Sequence, residues 1–255
     1  MKKVNLLFLA ALAVILLAGC KDEPENQLLY KVGDYYPDPN AVYSDGELQL
    51  GTAAIGIVFW LNTDAPGYDA ATKSGVSGKI VSLDEASDNL TWGPVEVETG
   101  TTSCFDGLAN MSVIKELDNT FSAYPAFAWV DQKNGAAGAT AYASGTKGIW
   151  YLPAVAELQY LVCAAAGEPC ETWSFPDSDN DSSQNPSFNP IRVVIDLSGL
   201  DDKLTSAGGV PLTAYSYWSS IEYNAYVAWL VSFIDGRADY NFKTTTKRVR
   251  CVMEF

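Results

Sequence analysis

Residues 46–255 predict one α+β domain. Three observations carry this. Apolar runs rich in β-branched and aromatic residues gather near both ends of the region. Helical spacings of three and four are confined to its middle. No composition break or internal repeat divides it. Strands at both ends of one folding unit are expected to pair, with two or more helices between them in sequence. A hydrophobic fraction of 48% supplies a core and excludes a wholly disordered chain.

Residues 1–19 stand apart from that domain. Lys2 and Lys3 give a positive start, and Leu6 to Leu17 is an unbroken apolar run. It is shorter than the roughly 20 residues a membrane-crossing helix needs, so it reads as a secretory signal peptide. Leu17-Ala18-Gly19-Cys20 resembles the lipobox of bacterial lipoproteins. The resemblance implies cleavage before Cys20 and acylation, by chains such as palmitate, of its sulfur and new amino group. Several acyl chains anchor stably where one does not. An ordinary signal peptide with a chance cysteine is the other reading. Lys21-Asp22-Glu23 resembles the signal that sends some Gram-negative lipoproteins to the outer face of the outer membrane, and it also suits a solvated tether. Residues 20–45 are thus the lipidated cysteine, a Pro-containing tether and a lead-in loop rich in Tyr, Pro and Asp.

Within the domain, Ala53–Leu61 and Lys79–Leu83 read as strands. Leu108, Met111, Ile114 and Leu117 mark one helix face, with Asp106 as its cap. Tyr124–Gln132 is a second helix and 134–148 a Gly/Ala-rich loop. Ile149–Tyr151 is a short strand. Pro153 then opens the first turn of a helix that Gly167 stops. Residues 168–190 form a polar insertion. Ile191–Leu197 reads as a strand and Asp201–Ala207 as a short helix. Tyr217–Ile221, Tyr226–Ile234, Arg237–Phe242 and Arg248–Phe255 are strands, the middle two joined by an Asp235-Gly236 turn.

The chain has no histidine and a formal charge of −15, which deepens by two when Lys2 and Lys3 are removed. The lack of imidazole excludes Ser-His-Asp and Cys-His catalysis and His-based metal sites. The acidity argues against a nucleic-acid partner. Arg237, Lys243, Lys247, Arg248 and Arg250 concentrate basic charge near the C-terminus, where internal ion pairs are preferred over a site for an anionic glycan.

Four cysteines remain beyond Cys20. A short-loop disulfide between Cys163 and Cys170 and a staple from Cys104 to Cys251 form one arrangement; buried thiols are the other. Asp177, Asp179 and Asp181 alternate in the insertion, which makes calcium the one candidate cofactor. Ser182 and Phe188 stand where a calcium loop of the helix–loop–helix type needs Gly and Glu, which favours a solvated acidic loop. Trp173, Tyr215, Tyr223 and Tyr226 flank or lie in loops and are the candidate ligand-binding rings, although anchoring in the fold is the commoner use of such residues.

The residues also carry a family resemblance. Trp150, Leu152, Pro153, Glu157 and Leu158 form one block, Tyr217-Trp218-Ser219-Ser220 a second, and Trp229 with Val249-Arg250-Cys251-Val252 a third. Together they resemble the C-terminal domain of bacterial collagen-like adhesins of the Lcl type. That resemblance implies a C-type-lectin-like fold. The helix block also resembles the sulfatase-modifying, formylglycine-generating enzymes of the same fold. Those need a reactive cysteine pair in the C-terminal half, where only Cys251 lies near the end of the chain. The calcium- and sugar-binding tripeptides of true lectins are absent from the core. Glu157 therefore reads as structural, placed near Tyr217-Trp218. The expectation is a non-enzymatic surface module that recognises a glycan or a protein, the alternative a structural or accessory subunit of a fimbria-like appendage.

Overall fold

The computed structural model describes residues 29–37, 53–168 and 196–255. The expected terminal pairing is present. Strands β2 (Gly56–Leu61) and β3 (Gly78–Ser82) pair antiparallel. The last strand, β10 (Val252–Glu254), lies against β3 in the register Val252–Val81, Met253–Ile80 and Glu254–Lys79. Strand β1 (Tyr35–Tyr36) and strand β5 (Trp150–Tyr151) complete a five-stranded sheet in the order β1-β2-β3-β10-β5.

Both faces of this sheet are covered, so its strands read as continuous apolar runs. Ile57, Val81 and Val252 enter the main core, while Val58, Ile80 and Met253 alternate into a smaller cluster. Tyr30, Leu61 and Phe255 close that second cluster, with Tyr36 packed against it. The segment Tyr30–Tyr36, expected as a loop, is thus stitched to the sheet.

Helix α1 (Gly107–Leu117) is capped as expected, Asp106 accepting from the Ala109 N–H at 2.9 Å. Leu108, Met111 and Ile114 are buried, but Leu117 ends the helix exposed. Helix α2 (Pro125–Lys133) begins on its proline. Helix α3 (Val155–Ala166) ends at Gly167 in the left-handed conformation. Pro153 precedes the cap of α3 rather than opening its first turn, and its carbonyl accepts from the Ser220 N–H at 2.8 Å. Helix α4 (Ser198–Ser206) packs on α3.

The C-terminal third is strand-rich. Strands β6 (Ser216–Glu222), β7 (Val227–Ser232) and β8 (Ala238–Phe242) form an antiparallel sheet. Gly236 turns the chain between β7 and β8 at φ 71°, where a side chain is disfavoured. The run from Arg248 to Phe255 does not form one strand. Strand β9 (Thr246–Lys247) pairs with β4 (Leu90–Thr91), and the chain leaves the ladder before β10. In that interval the buried Arg250 guanidinium donates to the Val210 carbonyl at 2.6 Å and to the Ser82 carbonyl at 3.3 Å.

Two expectations are corrected or lie elsewhere. Cys104 and Cys251 are both thiols, so the Cys104–Cys251 staple is absent. Cys251 is fully buried, and packing inside the core replaces the bridge. Cys170 and most of the predicted strand at Ile191–Leu197 lie outside the described residues; Asp196 and Leu197 are not in a strand.

Candidate functional site

The three sequence blocks converge as buried frame. Glu157 is 2% exposed and sits at the third position of α3, where its carboxylate accepts from the Ala154 N–H at 2.7 Å. It also accepts from the Tyr151 hydroxyl at 2.7 Å, from Lys79 at 2.5 Å and from the Gly107 N–H at 3.2 Å. A Cβ at position 107 would lie 2.3 Å from the Leu152 carbonyl oxygen, so glycine allows the start of α1 to approach this carboxylate. Glu157 therefore joins β3, β5 and both helix starts, rather than serving the Tyr217-Trp218 block. Its neighbours respond. Burial alone pulls the Lys79 ammonium down, but the charge and hydrogen bond of Glu157, helped by Glu254 and Asp106, leave it raised. Burial first, and then the Glu157 charge, pushes the Tyr151 hydroxyl well above its ordinary range.

A second buried set lies behind β6. Trp92 Nε1 donates to the Ser219 carbonyl at 2.8 Å, Ser219 Oγ to the Trp229 carbonyl at 2.9 Å, and Trp218 Nε1 to the Leu90 carbonyl at 2.9 Å. Asn110 Nδ2 donates to Ser220 Oγ at 2.9 Å. Glu85 accepts from the Tyr217 hydroxyl at 2.9 Å and pairs with Arg248 and Arg250. Lys243, fully buried, donates to Glu222 Oε2 at 2.7 Å and lies 4.8 Å from the Trp92 ring centroid. Arg237 pairs with Asp235. Thus four of the five C-terminal basic residues form ion pairs within the fold.

Exposed aromatic area gathers on one face of β6–β8. Trp229 and Tyr240 are directly opposite on β7 and β8. Tyr223, just past β6, stacks on Tyr240 with centroids 4.9 Å apart and 9° between planes. Trp229 meets both rings edge-on, at 5.4 Å from Tyr223 and 5.7 Å from Tyr240. Tyr223 is 43% and Tyr240 48% exposed, while Trp229 is buried beneath them. Phe242, opposite Val227, extends the same face and is exposed. This platform contains two rings that the loop criterion missed. Tyr240 and Phe242 alternate along β8, and that spacing is the only signal the sequence holds for them.

Among the described residues, the candidate rings Tyr215 and Tyr223 do not share one site. Tyr215 is at the opposite end of β6 from Tyr223, about 20 Å away for a strand of that length. Its ring packs under the Arg248 guanidinium at 5.2 Å, beside a shallow groove lined by Asn89, Thr246 and Lys247. Tyr226 is exposed near the start of β7. Trp173 and the calcium candidates Asp177, Asp179 and Asp181 lie outside the described residues. Among the described residues, no group of three or more His, Cys, Asp or Glu side chains is placed to hold a metal ion.

A model of the family described as the Lcl C-terminal domain matches residues 83–253. No curated protein matches the chain. The chain is similar to a solved fimbrial protein from Bacteroides ovatus ATCC 8483, at 18% identity and a TM-score of 0.34. That alignment covers 89% of this chain and 49% of the fimbrial protein, so the chain spans about half the length of that protein.

Proposed function

The chain belongs to the Lcl C-terminal domain family, and from that premise we propose that it is a non-enzymatic recognition or adhesion module at the bacterial cell surface. In this reading Cys20 carries the lipid, the outer membrane of a Gram-negative cell holds it, and the domain faces outward with a C-type-lectin-like arrangement. The Cys163–Cys170 disulfide belongs to the same proposal, closing a short loop after α3. The ligand is a glycan that lies on the Tyr223–Trp229–Tyr240 platform. A calcium-bridged sugar is not part of the reading.

The observation that carries it is the platform. Two stacked, half-exposed tyrosines resting on a tryptophan keep apolar ring surface and hydroxyl groups open to solvent side by side, which suits the apolar face and polar edge of a sugar ring. Such a surface on a rigid sheet loses little freedom on binding.

A glycan array probed with residues 26–255, shown folded by circular dichroism, tests this. Binding should fall about tenfold or more in Tyr223→Ala and in Tyr240→Ala, which corresponds to the loss of roughly 1.4 kcal/mol of stacking. Stability should change little, because both rings are half exposed. An array that stays blank with the folded protein, or binding indifferent to both substitutions, removes the reading.

A further inference from the structure

We propose that the β8 edge of the three-stranded sheet and the β5 edge of the five-stranded sheet are sealed by this chain's own Asp and Asn side chains, so that it does not associate with copies or partners by strand addition at those two edges. An edge strand presents a row of outward N–H and C=O groups that another chain can extend. Among the described residues, β8 pairs only with β7 and β5 only with β10.

The phase of the β7–β8 ladder identifies the outward groups. Ser232 N donates to the Arg237 carbonyl at 2.8 Å and Lys243 N to the Tyr226 carbonyl at 2.9 Å. Hydrogen-bonded pairs alternate in an antiparallel ladder, so Asp239 and Asn241 exchange bonds with β7. The N–H groups of Tyr240 and Phe242 therefore point away from the sheet. Each is taken. Asp239 Oδ1 accepts from Tyr240 N at 2.8 Å, and Asn241 Oδ1 accepts from Phe242 N at 2.8 Å.

The five-stranded sheet uses the same chemistry at β5. Asn134 Oδ1 accepts from Trp150 N at 2.8 Å, and Asn134 Nδ2 donates to the Trp150 carbonyl at 2.8 Å. One side-chain amide thus takes the place of a neighbouring strand. The far edge of the β6–β8 sheet is occupied by the chain itself, Trp218 N donating to the Arg248 carbonyl at 3.0 Å and Arg248 N to the Ser216 carbonyl at 3.2 Å. Strand β8 consequently offers its aromatic face to solvent while its backbone N–H groups are satisfied. That combination suits a ligand face and opposes growth of the sheet.

Residue-resolved hydrogen exchange on the full chain in detergent micelles tests the proposal. The Tyr240 and Phe242 amides should be protected. Asp239→Ala should speed exchange of Tyr240 alone, and Asn241→Ala that of Phe242 alone, about tenfold or more, with the remaining core amides unchanged. The Asp239→Ala/Asn241→Ala double variant should form concentration-dependent oligomers, by sedimentation equilibrium in density-matched micelles, where the parent does not. The proposal is overturned if the parent amides exchange at unstructured rates, if the single variants leave them unchanged, or if the double variant loses protection yet stays monomeric. None of these outcomes depends on a glycan binding Tyr223 and Tyr240, so its failure is distinguishable from failure of that reading.

Discussion

Lys243 and Glu222 join the ends of β8 and β6 through a 2.7 Å ion pair, with the lysine wholly withdrawn from water. Each is the chain neighbour of an exposed platform residue, Phe242 and Tyr223. Glu222 also accepts from the Thr99 and Gly100 N–H groups at 2.9 and 2.6 Å, so its carboxylate is fully committed. Removing one partner leaves a buried charge alone, which costs about 3–5 kcal/mol; removing both together costs far less. Urea unfolding followed by tryptophan fluorescence should therefore show a large loss for Glu222→Gln or Lys243→Met and partial recovery in the double variant. Equal, additive losses would show that the two groups do not act as a pair.

Two buried neutral groups predict fragility in alkali. Burial, and then the Glu85 carboxylate, raise the Tyr217 hydroxyl from 10.0 to about 12. Burial raises the Cys251 thiol from 9.0 to about 12. Between the unfolded and folded values the folded state holds more protons, so stability falls as pH rises. Their contribution is complete below pH 9, begins to fade there for Cys251 and at pH 10 for Tyr217, and is lost by about pH 12. At most, Tyr217 accounts for roughly 3 kcal/mol and Cys251 for roughly 4 kcal/mol. Denaturation midpoints measured from pH 8 to 12 should fall steeply, and less steeply in Cys251→Ala. An unchanged slope in that variant would show that the thiol does not titrate with unfolding.

The cysteines give a count that discriminates between pairings. Residues 26–255 contain Cys104, Cys163, Cys170 and Cys251. With Cys104 and Cys251 as thiols and the proposed Cys163–Cys170 bridge, the denatured, unreduced protein should titrate two thiols with Ellman's reagent. Cys251 should react only after unfolding, because its sulfur is buried and its thiolate disfavoured. Four thiols would remove the proposed bridge, and none would restore the Cys104–Cys251 staple.

Legibility in the sequence followed the range of each physical signal. Asp106 with Leu108, Met111 and Ile114, and Val155 through Gly167, are local patterns with caps, and they form the helices they announce. The terminal strands are apolar because both sheet faces are covered, and that composition was legible too. Strands β1 and β4 are two residues long and carry no alternation to detect. The ion pair between Lys79 and Glu157 spans 78 positions, and no local pattern announces it. The platform was half legible. Tyr223 stood out as a loop aromatic, whereas Tyr240 and Phe242 were hidden by being good strand formers. Which face of β8 meets solvent depends on the opposite strand, and that pairing is not written in either segment alone.

The proposed membrane anchor sits on two atoms of Cys20, its sulfur and the amino nitrogen that cleavage exposes. If the tetrapeptide Leu17-Ala18-Gly19-Cys20 is processed as a lipobox, cells fed a radiolabelled fatty acid should label the protein, and Cys20→Ala should abolish the label and the cleavage together. The uncleaved variant would then run larger on gels by the mass of the 19-residue signal. An ordinary signal peptide predicts the opposite pattern: no label in the parent, with cleavage surviving Cys20→Ala. Replacing Lys21-Asp22-Glu23 by alanines separates the second step. It should leave lipidation intact, since the sulfur is untouched, while protease added to whole cells should no longer reach the domain if those residues direct it outward. Full protease access in that variant would assign the three residues to the tether alone.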